Sequence, residues 1–597
     1  MNKFFDCEVY KDYFLASFSN GKTTVDFEMY EGKSLDRNRL RRAMESGLTG
    51  GFNSINYDNL IVAAALSGYT CGELKELSDK IIQSNKPSWM VAKEENINVP
   101  MNWDHIDIIN VLAGVARLKI YAARIGQPKL QDLPYKHDEL IATPERRKVV
   151  RKYCHNDVRD TKALFDCLKE QLALRVTMSN EYDIDMRSKS DAQIAEAIMR
   201  DKMGDALGRT VKPTQIPDNY KFAYKDPKVI SFKSLALKSL LVRIYGTTFR
   251  LSKNKSVENP RWLAKGIVPI NKGRYSIGIG GIHSCEKSQT VVAGDTHLLW
   301  DFDVASFYPA IILQQGLFPK SLGPEFLSVF RKIVDERLAA KASGQKAIAD
   351  TLKIVINGTY GKLGSKYSVV YSPDLLAQTT LTGQLALLMM IERIEAIGDD
   401  VNVVSANTDG IVIHAPVARG PEIMKVKAQW EKDTTYVLER TDYSALYSRD
   451  VNNYIAVKTN GDVKRKGAFG LPTLTKNPAY PILANAVVEY LTKGKPLETT
   501  IWECRDPKQF VMVRTVNKGG AVWRDQHLGG AVRFYKSSIV PQDEAIRYAS
   551  DGHKVPTSDG CRPLMDLPSD GHFMADVNYA WYLAEAKDML KGLGPNA

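Results

Sequence analysis

The sequence predicts a multidomain chain, α/β in its N-terminal part and α+β in the remainder. Three observations carry this. At 597 residues it is too long for one hydrophobic core. Residues 1–175 alternate between strand-like and helix-like patterns. Further on, two helical periods meet at Ser343-Gly344, and an alternating apolar segment folds back at Asp409-Gly410.

In chain order, residues 4–18 read as a strand hairpin, and the apolar stretch 59–65 begins a helix. Residues 106–125 and 145–172 carry helical periodicity. Residues 176–230 are less regular, with a helical patch at 192–200 before a Lys/Pro-containing stretch, so a domain junction is placed there. Gly278-Ile279-Gly280-Gly281 is too glycine-rich for the interior of a regular element. An apolar strand follows at 297–302. Helices 324–342 and 346–363 form an antiparallel helical hairpin, and 401–415 a β-hairpin.

Composition narrows the class. Apolar residues make up 44% and charged residues 25%, ordinary for a globular protein. The net charge of +12 favours a polyanionic partner. Seven scattered cysteines form no CxxC pair, which argues against a zinc ribbon or disulfide framework and for reduced thiols in a cytosolic setting. Asp6 comes too early for a signal peptide, and no apolar run is expected to span a membrane. A cytoplasmic monomer without a membrane partner is expected.

Three segments supply the chemistry of nucleotidyl transfer: Asp303-Val304-Ala305-Ser306-Phe307-Tyr308-Pro309, Lys353-Ile354-Val355-Ile356-Asn357-Gly358-Thr359-Tyr360-Gly361, and Asn407-Thr408-Asp409-Gly410. Such transfer uses two divalent ions, one at the attacking hydroxyl and one at the leaving pyrophosphate. Hard cations prefer carboxylate oxygens, which Asp303 and Asp409 offer. Taken alone, Asp409-Gly410 reads as a type I′ hairpin turn and Asp303 as an ordinary strand-end aspartate. Lys353, Asn357 and Tyr360 fall at i, i+4 and i+7 on one helical face, while Arg337 and Lys341 are expected to face back from the other helix. Three cations on facing helices suit a triphosphate.

The first 160 residues carry a second set of acids. Asp6 and Glu8 share one face of a strand. Asp58 ends Asn53-Ser54-Ile55-Asn56-Tyr57-Asp58, and Tyr153 and Asp157 share a helical face. Four acids can hold two ions for phosphodiester hydrolysis, with Tyr153 orienting the water.

The first group resembles motifs A, B and C of family B DNA polymerases: DxxSFYP for DxxSLYP, KxxxNGxYG for KxxxNSxYG, and NTDG for DTDS. The second resembles the ExoI, ExoII and ExoIII motifs of proofreading 3′–5′ exonucleases. The resemblance implies Asp303 and Asp409 as metal ligands, Tyr308 as the steric gate against a ribose, and Arg337, Lys341, Lys353 and Asn357 on the incoming nucleotide. It implies DNA contacts from Gly280 and Gly281, Tyr360 and Gly361, Tyr454, Lys464 and Lys466, and from Asn53 and Tyr57 in the nuclease. Asn407 stands where the family has its first motif C aspartate, which removes one negative charge and keeps an oxygen ligand. Gly278 likewise replaces the aromatic that usually opens the glycine segment.

The implied fold is a ribonuclease-H-like 3′–5′ exonuclease domain joined to a right-hand polymerase with an antiparallel palm, two-helix fingers and a thumb. The expected boundaries are exonuclease 1–180, connecting segment 181–230, palm 231–322, fingers 323–372, palm 373–465 and thumb 466–597. In the thumb, Arg514, Lys518, Arg524, Arg533 and Lys536, with Phe534 and Tyr535 between them, suit phosphate contacts. The spacings, 50 positions from Asp303 to Lys353 and 52 from Asn357 to Asp409, leave no space for a terminal-protein-binding insertion. The early Asp6 leaves none for the N-terminal domain of large cellular enzymes.

The expected protein is therefore a compact phage or mobile-element polymerase, in the host cytoplasm if viral, that proofreads and extends a nucleic-acid primer. Magnesium or manganese, two ions at each site, is the expected cofactor. Primer–template DNA and dNTPs are the expected partners; a helicase, a single-strand-binding protein or a processivity factor is compatible with that role. The alternative is a 3′–5′ exonuclease whose polymerase site has degenerated at Asn407.

Overall fold

A computed structural model describes residues 2–84, 86–517, 519–568 and 573–594. The chain is a mixed α/β multidomain protein that divides into two compact units. One gathers Met1–Ser190, Leu471–Leu483 and Glu498–Ala584, and the other Asp191–Gly470, Ala484–Leu497 and Glu585–Ala597.

The first unit is built on a five-stranded sheet in the order Thr24–Tyr30, Tyr13–Ser19, Lys3–Val9, Thr49–Gly51, His105–Asp107. The first three strands are antiparallel and the last two run parallel to Lys3–Val9. Tyr13–Ser19 is buried along nearly its whole length because both faces are covered, one by the Leu60–Ala65 cluster and the other by Val150 and Cys154. The helix Pro144–Cys167 starts at a Thr143 side-chain cap followed by Pro144, and it delivers Tyr153 and Asp157 to the sheet.

Residues 106–125 depart from the helix expected there. His105–Asp107 is the edge strand, and only Leu118–Arg124 is helical. The Asp107 carboxylate accepts the backbone N–H groups of Asn53, Ile55 and Ile109, a tertiary tie that outweighs the local period.

The C-terminal basic stripe also departs from expectation. Ala531–Lys536 is the central strand of a three-stranded sheet and is buried at every position. Arg533 donates to the carbonyls of Leu564, Gln127, Pro128 and Met565, so it ties this sheet to the N-terminal part of the same unit. Lys536 is spent on the Asp559 carbonyl, and Phe534 and Tyr535 are core, whereas Arg524 stays exposed in a surface pair with Glu544 and Arg514 reaches Thr557. Lys518 lies outside the described residues.

The second unit contains a large antiparallel sheet. Its order is Val463–Arg465, Asn453–Lys458, Leu438–Asp450, His297–Val304, Gly410–Pro416, Asn402–Asn407, His283–Ser284, Gly273–Ser276, Ile267–Ile270. His297–Val304 is central, paired on both sides. The helical hairpin is Glu325–Ala342 and Lys346–Lys362, and Asp191–Leu207 packs along its second helix.

The helix Pro373–Glu395 is long and apolar enough to cross a membrane by length and composition, contrary to the expectation that no segment qualifies. It is 83% buried over its most apolar stretch and serves as the core helix of this unit. Thr379, Thr380 and Gln384 interrupt its apolar run, and all three are buried.

Candidate active sites

In the second unit, the strand His297–Val304 carries Asp301 and Asp303 on one face, because side chains alternate along a strand. Its neighbour brings in the other acid, since Asp303 pairs with Gly410 and the Val304 N–H donates to the Asp409 carbonyl at 2.8 Å. The turn between Asn402–Asn407 and Gly410–Pro416 has Thr408 and Asp409 as its two loop residues, one position earlier than expected. Asn407 pairs with Gly410 and Thr408 takes φ 57°. The cause is tertiary, as the Thr408 N–H donates to the Ile282 carbonyl at 2.8 Å.

Asp301, Asp303, Asn407, Asp409, Tyr454, Lys464 and Lys466 line one cleft of about 350 Å³. Burial, then the neighbouring charge of Asp301, pushes the Asp303 carboxyl up to about 6. Burial also raises Asp409, against the pull of Lys464 and Lys466. Gly410 is required at close quarters, because a Cβ there would overlap the Asp303 carboxylate. Asn407 is satisfied locally. Its amide donates to the Val451 carbonyl at 3.1 Å, and its oxygen accepts from Thr408 Oγ1 at 3.0 Å.

Below Asp303 lies a group the motifs did not reveal. Asp301 accepts from the Tyr443 hydroxyl and from Lys464 Nζ at 3.4 Å. Lys464, expected on DNA, thus rests on an acid beside the cleft, and together with Lys466 it lies over the Tyr454 ring. The period-two rule that picks out Asp6 and Glu8 also picks out Asp301, two residues before Asp303.

The nucleotide-side residues are brought together in part. Tyr308 stacks on Tyr360 with ring centroids 4.1 Å apart, and Arg337 donates to Ser306 at 3.2 Å. Lys341, Lys353, Asn357 and Gly361 are exposed on the helical hairpin. Gly280 is exposed and Gly281 lies against Thr408, so the glycine segment borders the Thr408–Asp409 turn.

In the first unit, Asp6, Glu8 and Asp58 converge on the sheet. Asp58 accepts the Cys7 N–H at 3.0 Å, and donor atoms of Asp6, Glu8 and Cys154 lie within 4.8 Å of one another. Burial pushes Asp6 up to about 6 and raises Glu8 and Asp58 further. Asp157 is paired with Lys119, whose ammonium also sits 4.6 Å from the centre of the Tyr153 ring. The Lys119 side chain is 13% exposed, and burial lowers its pKa against the pull of Asp160, Asp6 and Glu8. It lies in the helix Leu118–Arg124 and belongs to none of the motifs. Asn53 and Tyr57 line the adjoining cleft of about 530 Å³, and the Tyr57 hydroxyl bonds Ser78 at 2.7 Å.

Both donor sets suit a hard divalent cation. Each offers half-buried or buried carboxylates, raised chiefly by burial, whose oxygens are the hard donors such an ion prefers.

No family model matches the sequence. A 134-residue segment is 29% identical to the DNA polymerase alpha catalytic subunit of Trypanosoma brucei brucei; it covers 21% of this chain and 9% of that protein. The chain thus matches about a tenth of the length of this curated relative. A structural neighbour is the family B DNA polymerase of the hyperthermophilic archaeon Pyrobaculum calidifontis, with a TM-score of 0.43 and 14% identity. That alignment covers 100% of this chain and 78% of the archaeal one.

Proposed function

We propose that the chain is a template-directed, family B-like DNA polymerase that adds dNTPs to a primer 3′ end, with a 3′–5′ proofreading exonuclease. In this reading it replicates a viral or mobile-element genome. The observation that carries the reading is the meeting of Asp303 and Asp409 across one strand pair, in a cleft edged by Tyr454, Lys464 and Lys466.

Asp303 and Asp409 would hold the magnesium or manganese ions, with Asn407 beside them. When bound, the ions lower the pKa of the primer hydroxyl and neutralise the leaving pyrophosphate. Tyr308, propped on Tyr360, would present a flat ring to the sugar and exclude a 2′-hydroxyl. Arg337, Lys341 and Lys353 attract the triphosphate. Lys464, held by Asp301 and Tyr443, keeps positive charge at the primer side. In the first unit, Asp6, Glu8, Asp58 and Asp157 would hold the ions for hydrolysis, with Tyr153 orienting water and Lys119 balancing their charge.

The test is extension of a labelled primer–template with four dNTPs and magnesium, for wild type and Asp409→Ala. Extension lost in the variant while primer degradation persists supports two separate sites. Degradation without extension in both proteins would leave the exonuclease with a degenerate polymerase site.

A further inference from the structure

The Gly278–Gly281 segment has no secondary structure to hold it, yet it touches the catalytic turn directly. Its anchor is Gln384, in the core helix Pro373–Glu395 and 2% exposed. The Gln384 side chain accepts the Gly278 N–H at 2.8 Å and donates to the Gly278 carbonyl at 2.8 Å and to the Gly280 carbonyl. Every polar atom of the amide is therefore engaged on one short segment. The segment passes this constraint on at two points. The Ile282 carbonyl receives the Thr408 N–H at 2.8 Å, and Gly281 lies so close that a Cβ would stand 2.7 Å from Thr408 Oγ1 and 3.1 Å from Thr408 Cα. Thr408 is strained at φ 57° and immediately precedes Asp409.

We propose that Gln384 is a positioning residue for nucleotidyl transfer, acting through Gly278–Gly281 and Thr408 to fix the Asp409 carboxylate against Asp303. The inference rests on the polymerase reading above. A buried glutamine in a helix interior needs partners for its amide. Here the partners belong to a single loop that abuts Thr408 and Asp409, so the buried core helix sets the carboxylate geometry. A displacement of about 1 Å at such a group costs on the order of 10²-fold in rate.

The test compares wild type, Gln384→Met, Gly281→Ala and the double variant. Gln384→Met keeps the volume and drops the three hydrogen bonds. Gly281→Ala adds one methyl against Thr408 and removes no bond. Each single variant is expected to lower kcat/KM for extension by roughly 10- to 100-fold, with a several-fold rise in the magnesium concentration at half-maximal rate. The double variant is expected to be no worse than the poorer single one, since both break the same relay. Degradation of a single-stranded oligonucleotide should be unchanged in all four proteins. A second readout is Mn2+ binding by electron paramagnetic resonance in an Asp6→Ala background, where Gln384→Met and Gly281→Ala should both weaken the palm site.

Wild-type extension and metal dependence in Gln384→Met, or multiplicative effects in the double variant, would overturn the proposal. Should Gln384→Met fail to fold, unaltered metal binding in Gly281→Ala overturns it equally. A wild-type protein that extends no primer counts against the polymerase reading alone, and the Mn2+ titration still decides the positioning role.

Discussion

Asn407→Asp tests whether the missing motif C acid marks decay or adaptation. The asparagine amide donates to the Val451 carbonyl at 3.1 Å. An aspartate would set a carboxylate oxygen against that carbonyl, turning an attractive contact into a repulsive one. It would also add a negative charge beside Asp409 and Asp303, both already raised by burial. Loss of the bond with an acceptor left unsatisfied costs about 1–3 kcal/mol. In metal-free buffer we therefore expect the midpoint of thermal unfolding to fall, by about 1–2 °C per kcal/mol for a unit of this size. Divalent metal should reverse the loss, because the same oxygens gain a ligand, and the magnesium concentration for half-maximal extension should drop. The assay is thermal unfolding with chelator and with magnesium, alongside primer extension. A variant as stable as wild type in chelator would refute the account, since the Val451 contact would then carry no weight.

Three further outcomes follow from the geometry. Lys119→Met should cut exonuclease rate by about 10- to 100-fold without touching extension, because the acids around Tyr153 lose their balancing charge. Equal nuclease rates in wild type and variant would contradict it. Arg533→Met should destabilise the first unit by at least about 3 kcal/mol, since four backbone carbonyls lose a charged donor. The salt dependence of DNA binding should stay as in wild type, and a shallower slope would return Arg533 to the phosphate contacts. Asp303, raised to about 6 in the fold, favours its protonated form there. Its stabilising contribution is present below the unfolded pKa and is lost as pH rises through about 6. Asp303→Asn should thus stabilise metal-free protein at pH 8 and confer no advantage near pH 3.5; unfolding curves at the two pH values check this.

What was legible in the sequence is what local spacing encodes. Asp6 and Glu8 on one strand face, Tyr153 and Asp157 on one helix, and the hairpin around Asp409 all follow from periods of two and 3.6. The features that sequence reading missed are set by distant partners. The turn at Thr408 is shifted by a bond to Ile282, and Asp107 overrides the helical period of 106–125 by accepting the distant N–H groups of Asn53 and Ile55 as well as that of Ile109. The basic residues 533 and 536 looked like surface because charged residues usually are, yet their strand is central in its sheet. Lys119 and Gln384 carry no motif at all, and their roles exist only once the fold has placed acids around one and a glycine loop around the other.

The Arg533 tie has a consequence for how the molecule is made. Its four acceptors come from residues 127–128 and 564–565, more than four hundred positions apart. During synthesis the N-terminal sheet leaves the ribosome early, but the pieces that complete its unit emerge after residue 470. The nascent N-terminal sheet therefore waits, partly uncovered, while Asp191–Gly470 of the second unit is being made. Cutting the chain near residue 190 would not isolate a folded unit but leave its sheet without the C-terminal segments that close it, so the two units are to be probed by point substitution and not by truncation.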